Sequence, residues 1–151
     1  MRTLVTAVAL LFSAGACSSI LPSSISPWQE AWGPNFPQPE SGQAAVYLIR
    51  GTAPQDAAPI ELSLGRRVVG SLASNTYMLF NLEPRLYDIR AFGTQTSTEQ
   101  IITVAPGQTR FFQIEANKIG GTDILEVSSL DGRRMVRQGE RLQQLADPPR
   151  D

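Results

Sequence analysis

The chain has 151 residues, 42% of them apolar and 18% charged, with a formal net charge of −1; this is enough for one core, and too apolar and lightly charged for a disordered chain. No histidine and only one cysteine are present, which excludes intramolecular disulfides, histidine or multi-cysteine metal sites and every histidine-based catalytic triad. With no positive field to draw the chain onto a polyanion, no nucleic-acid partner is expected, and no motif calls for a metal or cofactor.

The first element is MRTLVTAVALLFSAGAC. One basic residue, Arg2, precedes an apolar run from Leu4 to Phe12 and then the small residues Ser13, Ala14, Gly15 and Ala16. This is the three-part plan of a secretory signal, and the apolar run has about half of the ~20 residues that a membrane-spanning helix needs. Residues 1–16 are therefore expected to be removed. Ala14-Gly15-Ala16-Cys17 resembles the bacterial lipobox, with Ala14 where leucine is usual. The resemblance implies that Cys17 is lipidated and becomes the amino terminus, held at a membrane because each buried methylene adds about 0.8 kcal/mol. Ser18 after the cysteine implies sorting to the outer membrane, facing the periplasm. The competing reading is an ordinary signal cut nearby, leaving Cys17 a plain thiol. Against it stands the placement of the only cysteine where a lipoprotein signal requires one.

Residues 17–43 continue as a tether, with Pro22, Pro27, Pro34, Pro37 and Pro39 too closely spaced for a helix or central strand. Trp28 and Trp32 are unusual in a solvated linker. They either sit at the lipid headgroup level or fold back over an open patch of the domain, and the second reading is preferred.

From residue 44 the apolar residues recur with period two, the mark of strands with one buried face. Val46 and Leu48 alternate in AAVYLIR, Leu62 and Leu64 in IELSL, and Val69 and Ser71, flanked by Val68 and Leu72, in RRVVGSL. In NTYMLFNL both phases are apolar, Tyr77 and Leu79 against Met78, Phe80 and Leu82, as in a strand covered on both sides. Then come Tyr87, Ile89 and Ala91 in YDIRAF, Ile102 and Val104 in TEQIITVA, Phe112 and Ile114 in TRFFQIEA, and Leu125 and Val127 in DILEVS. Turn chemistry separates them: Gly65-Arg66 suits a two-residue hairpin, Glu83-Pro84-Arg85 a proline turn, Ala105-Pro106-Gly107-Gln108 a type II turn, and Gly120-Gly121 another break. Short strands at intervals of about 8–12 residues predict an all-β fold, an antiparallel β-sandwich of about seven to eight strands over residues 44–147.

After Asp131-Gly132 the period shifts. Met135, Leu142 and Leu145 lie at helical spacing on one side, and Arg133, Arg134, Arg137 and Arg141 cluster on another. A short C-terminal helix is expected at about 131–146, weakened by about 1 kcal/mol at Gly139.

The order of these signals resembles the bacterial family called domain of unknown function 2846, mostly small predicted lipoproteins. The matching stretches within residues 44–128 are AAVYLIRG at 44–51, LSLGRRVVGSLASNTYMLFNLEP at 62–84 and VAPGQTRFFQIEA at 104–116. Leu64 stands where the family has a hairpin aspartate, and Arg85 where it has glycine after proline, so both turns must be built differently or absorb some strain. The resemblance implies a sandwich like the sheet modules of surface proteins, with no assigned catalysis.

A catalytic site would need a nucleophile with its base, or two carboxylates at a fixed gap. Lys118, the only lysine, beside Gly120-Gly121, could serve a Ser/Lys dyad on paper, and Glu61, Glu83, Asp88, Glu99, Glu115 and Glu126 are scattered singly. The best-formed polar feature is the stripe Arg133, Arg134, Arg137 and Arg141, a contact for lipid phosphates or an acidic partner, or else a solvated helix face. The expectation is a non-catalytic lipoprotein of the bacterial envelope that meets the membrane through its lipid and another envelope protein through its strands or loops. The alternative is a module binding a small ligand, an envelope sugar or lipid.

Overall fold

Alternation places every one of the eight longer strands. The computed structural model describes residues 36–55 and 57–145; Cys17, Ala14, Gly15, Ala16, Trp28 and Trp32 lie outside the described residues. The strands are β1 (Ala44–Arg50), β2 (Ile60–Leu64), β3 (Arg67–Leu72), β4 (Thr76–Leu82), β5 (Leu86–Phe92), β6 (Ser97–Thr103), β7 (Thr109–Ala116) and β8 (Thr122–Val127). A helix, α1 (Ser129–Gln138), and a two-residue strand, β9 (Glu140–Arg141), follow. They build two packed sheets, ordered β8-β7-β1-β4-β9 and β3-β2-β5-β6, a β-sandwich with a short C-terminal helix.

The two sheets differ in what covers them, and the sequence shows why. Every residue of β1 is buried: Val46 and Leu48 join the core between the sheets, while Ala45, Tyr47 and Ile49 face outward into a second cluster beneath α1. β4 divides likewise, Met78, Phe80 and Leu82 inward and Tyr77 and Leu79 outward. Apolar residues in both phases are what a doubly covered strand requires. In β5, by contrast, Tyr87, Ile89 and Ala91 are buried and Asp88 and Arg90 only half-buried, so the second sheet leaves its outer face to solvent. There Arg90 hydrogen-bonds Glu99 across the strand pair and lies 3.6 Å from Asp88.

The expected turns form. Gly65, at φ 61°, starts the two-residue β2–β3 hairpin, and Gly107, at φ 76°, occupies the third place of a turn closed by Gln108 N–H donating to Ala105 O at 3.2 Å. Leu64, the departure from the hairpin aspartate, is a core residue, and Arg85 needs no positive φ.

Three features depart from expectation. First, the sandwich is not wholly antiparallel: β1 pairs with β7 in parallel, Val46 opposite Arg110 and Leu48 opposite Phe112. The Ala105–Gln108 turn carries the chain from one sheet to the other, so β7 enters beside β1 running the same way. Second, β8 has the opposite phase. Ile124, opposite Ile114, is buried and Leu125 is 52% exposed, while Val127 faces outward against the cluster under α1. Third, the helix spans 129–138 rather than about 131–146. Ser128 caps it by accepting from Asp131 N–H at 3.1 Å, with Asp131 in the first turn favoured by the helix dipole. Gly139 is its C-cap, not an interior residue.

Beyond Gly139 the chain closes one side of the sandwich. Glu140 and Arg141 pair in parallel with Thr76 and Tyr77 of β4, Leu142 enters the core, and Leu145 N–H donates to Val69 O of β3 at 2.8 Å. On the other side Thr122 Oγ1 donates to Ala91 O at 3.0 Å, and Thr98 Oγ1 donates to Thr122 O.

Candidate functional site

The arginine stripe is not a single helix face. Arg133, Arg134 and Arg137 lie on α1 and are exposed, whereas Arg141 lies in β9 and is half-buried. The Arg133 and Arg137 guanidiniums stand 5.2 and 5.5 Å from the centroid of the Phe36 ring, within cation–π range. Arg134 instead pairs with Asp131 at 2.7 Å along the helix. Phe36 belongs to the stretch read as tether, yet it is 9% exposed, with its ring 5.7 Å from that of Tyr47 and 6.0 Å from that of Phe111. Tyr47 and Phe111 stack at 4.8 Å. Burial pushes the Tyr47 phenol up to about 12, opposed by the nearby charges of Arg141 and Arg133. The stripe thus packs in part on the end of the chain's own amino-terminal segment, and sequence reasoning missed Phe36 because prolines surround it.

A second cluster lies where β1 ends. Arg50 is only 3% exposed, and its Nη1 donates to Ala58 O at 2.7 Å and to Leu72 O at 2.9 Å. Burial alone holds its pKa below the usual arginine value, and among the described residues no carboxylate forms an ion pair with it. Arg50 lines two adjoining cavities, of about 400 and 230 Å³, that also share Ala57 and Ala116. The only sequence signal for it is a charge closing an apolar strand in AAVYLIRG, a position where a solvated end is the default reading.

The remaining candidates are not brought together. Lys118 is exposed in the β7–β8 hairpin, and among the described residues no serine hydrogen-bonds it. Glu126 pairs with Arg110 through two bonds, Nε–Oε1 at 2.7 Å and Nη2–Oε2 at 2.6 Å, and this partner holds its carboxyl below the usual range. Among the described residues no three of the acidic or thiol side chains form a metal-binding group, and no helix is long and apolar enough to cross a membrane. No protein-family model matches the chain, and no curated protein matches its sequence.

Proposed function

We propose that this protein is a non-catalytic lipoprotein of the bacterial cell envelope, attached through Cys17 and facing the periplasm from the outer membrane. Its sandwich acts as an accessory or assembly module that engages another envelope protein. The observation that carries the reading is the single cysteine directly behind Ala14-Gly15-Ala16 at the end of the only long apolar run. The resemblance of residues 44–128 to domain of unknown function 2846 agrees with it.

The docking of Phe36 adds a geometric consequence. Residues 18–35 lie between Cys17 and Phe36 in the sequence, and no chain of that length can reach beyond about 65 Å. That length sets the greatest distance at which the sandwich can work from the membrane that holds it. The test is fractionation of cells labelled with a radioactive fatty acid. The parent should carry label and sediment with the outer membrane, and Cys17→Ser should lose the label and appear in the soluble periplasmic fraction. A Cys17→Ser form that sediments like the parent would overturn the anchoring.

A further inference from the structure

The end of the sandwich at Arg50 holds a charge with unused capacity. A guanidinium has five N–H donors, and Nη1 places its two on the Ala58 and Leu72 carbonyls. Among the described residues the other three, on Nε and Nη2, have no hydrogen-bond acceptor. A charge taken out of water without a counter-charge is costly, and Arg50 is 97% removed from solvent yet forms a wall of both cavities. The two carbonyl bonds fix the planar group before any ligand arrives, which lowers the ordering cost of binding.

The rest of the lining defines the ligand. Pro54, Ala57 and Ile114 face the larger cavity, and Pro59, Ile60 and Phe92 face the smaller. Hydroxyl and amide groups come from Thr52, Thr94 and Asn117. Among the described residues the only carboxylate is Glu115, which lines the larger cavity, is exposed and is held by the Gln113 side-chain amide. Mostly apolar walls with one convergent cation are the make-up of a small-molecule pocket, and the Glu115 charge disfavours a dianion.

We propose that this cleft is a binding site for a small amphiphile with a single negative charge, a carboxylate or phosphodiester on an apolar body, whose anionic oxygens take the free edge of Arg50. The site is independent of whether Cys17 carries lipid.

The experiment is an amide NMR titration of the chain carrying Cys17→Ser, with hexanoate, hexanol and inorganic phosphate as probes. Hexanoate should give saturable shifts at Gly51–Ala53 and Ala116, with hexanol and phosphate each at least about tenfold weaker, the worth of one charge-assisted hydrogen bond. Arg50→Gln should remove the preference for hexanoate. Because Arg50 also holds two carbonyls, Ala116→Trp is the second variant: Ala116 is exposed and lines both cavities, so it should weaken hexanoate at least tenfold with the unfolding midpoint unchanged. Lack of saturation, equal binding of hexanol, or an unaffected Ala116→Trp overturns the anion site. Equal binding of phosphate overturns the amphiphile.

Discussion

Gly132 of α1 lies directly against Phe111 of β7: a methyl group at Gly132 would stand 2.2 Å from Cγ and 2.4 Å from Cβ of its side chain. Phe111 is 1% exposed and stacked on Tyr47, so it has nowhere to go. The absent side chain lets the helix approach the sheet closely enough for Val136 to be fully buried. Gly132→Ala should therefore lower stability by about 2 kcal/mol, overpacking outweighing the roughly 1 kcal/mol gained in helix propensity. Gly139→Ala, whose methyl would meet nothing closer than 3.3 Å, serves as the comparison in urea unfolding. Equal effects of the two would refute the account.

The Tyr47 phenol supplies a pH dependence. It keeps its proton up to about 12 in the fold but releases it near 10.0 once unfolded. Between these values unfolding releases a proton, so stability falls as pH rises. The contribution is whole below pH 10 and gone above about 12, and amounts to about 2–3 kcal/mol over the window. Tyr47→Phe should flatten this alkaline slope in unfolding curves taken from pH 9 to 12. Parallel curves for parent and variant would exclude it.

Asn75 should distinguish backbone from side chain. It sits at φ 57° in the β3–β4 turn, and its side chain donates to Gln138 O at the end of α1 at 2.7 Å. Asn75→Gly keeps the conformation and loses the bond, costing about 0.5–1 kcal/mol. Asn75→Ala adds the left-handed penalty, for about 2 kcal/mol in all. Chemical denaturation ranks the pair, and the reverse order would show that the turn carries no conformational demand.

Phe36→Ala should remove the ring that Arg133, Arg137, Tyr47 and Phe111 share. We expect a loss of about 3 kcal/mol, with hydrogen exchange accelerated in α1 and unchanged in β2 and β5. Uniform acceleration would show that Phe36 supports the whole fold rather than this face.

Where two readings of the sequence differed in apolar content, the right one could be chosen; where they did not, it could not. Period two located the strands, and apolar residues in both phases of NTYMLFNL disclosed a covered sheet. In DILEV, Ile124 and Leu125 are equally apolar, so the phase rests on Ile114 across the sheet, a neighbour ten residues away. Met135, Leu142 and Leu145 repeat like a helix, but Leu142 enters the core from beyond the C-cap. A seven-residue interval reads alike whether or not the helix continues through Gly139. The parallel pairing of β1 and β7 leaves no trace in alternation, because side chains alternate whichever way a neighbour runs. Arg50 went unnoticed because its burial depends on Ala58 and Leu72, which the fold brings to it.

The seat of Phe36 also has a mechanical meaning. β1 is hydrogen-bonded on both sides, to β4 and β7, and a pull along its axis would strain both ladders together. Tension arriving from the amino-terminal side must first lift Phe36 from the aromatic stack and unload Arg133 and Arg137 before it reaches Ala44. The ring thus stands ahead of the sandwich in the path of any such pull.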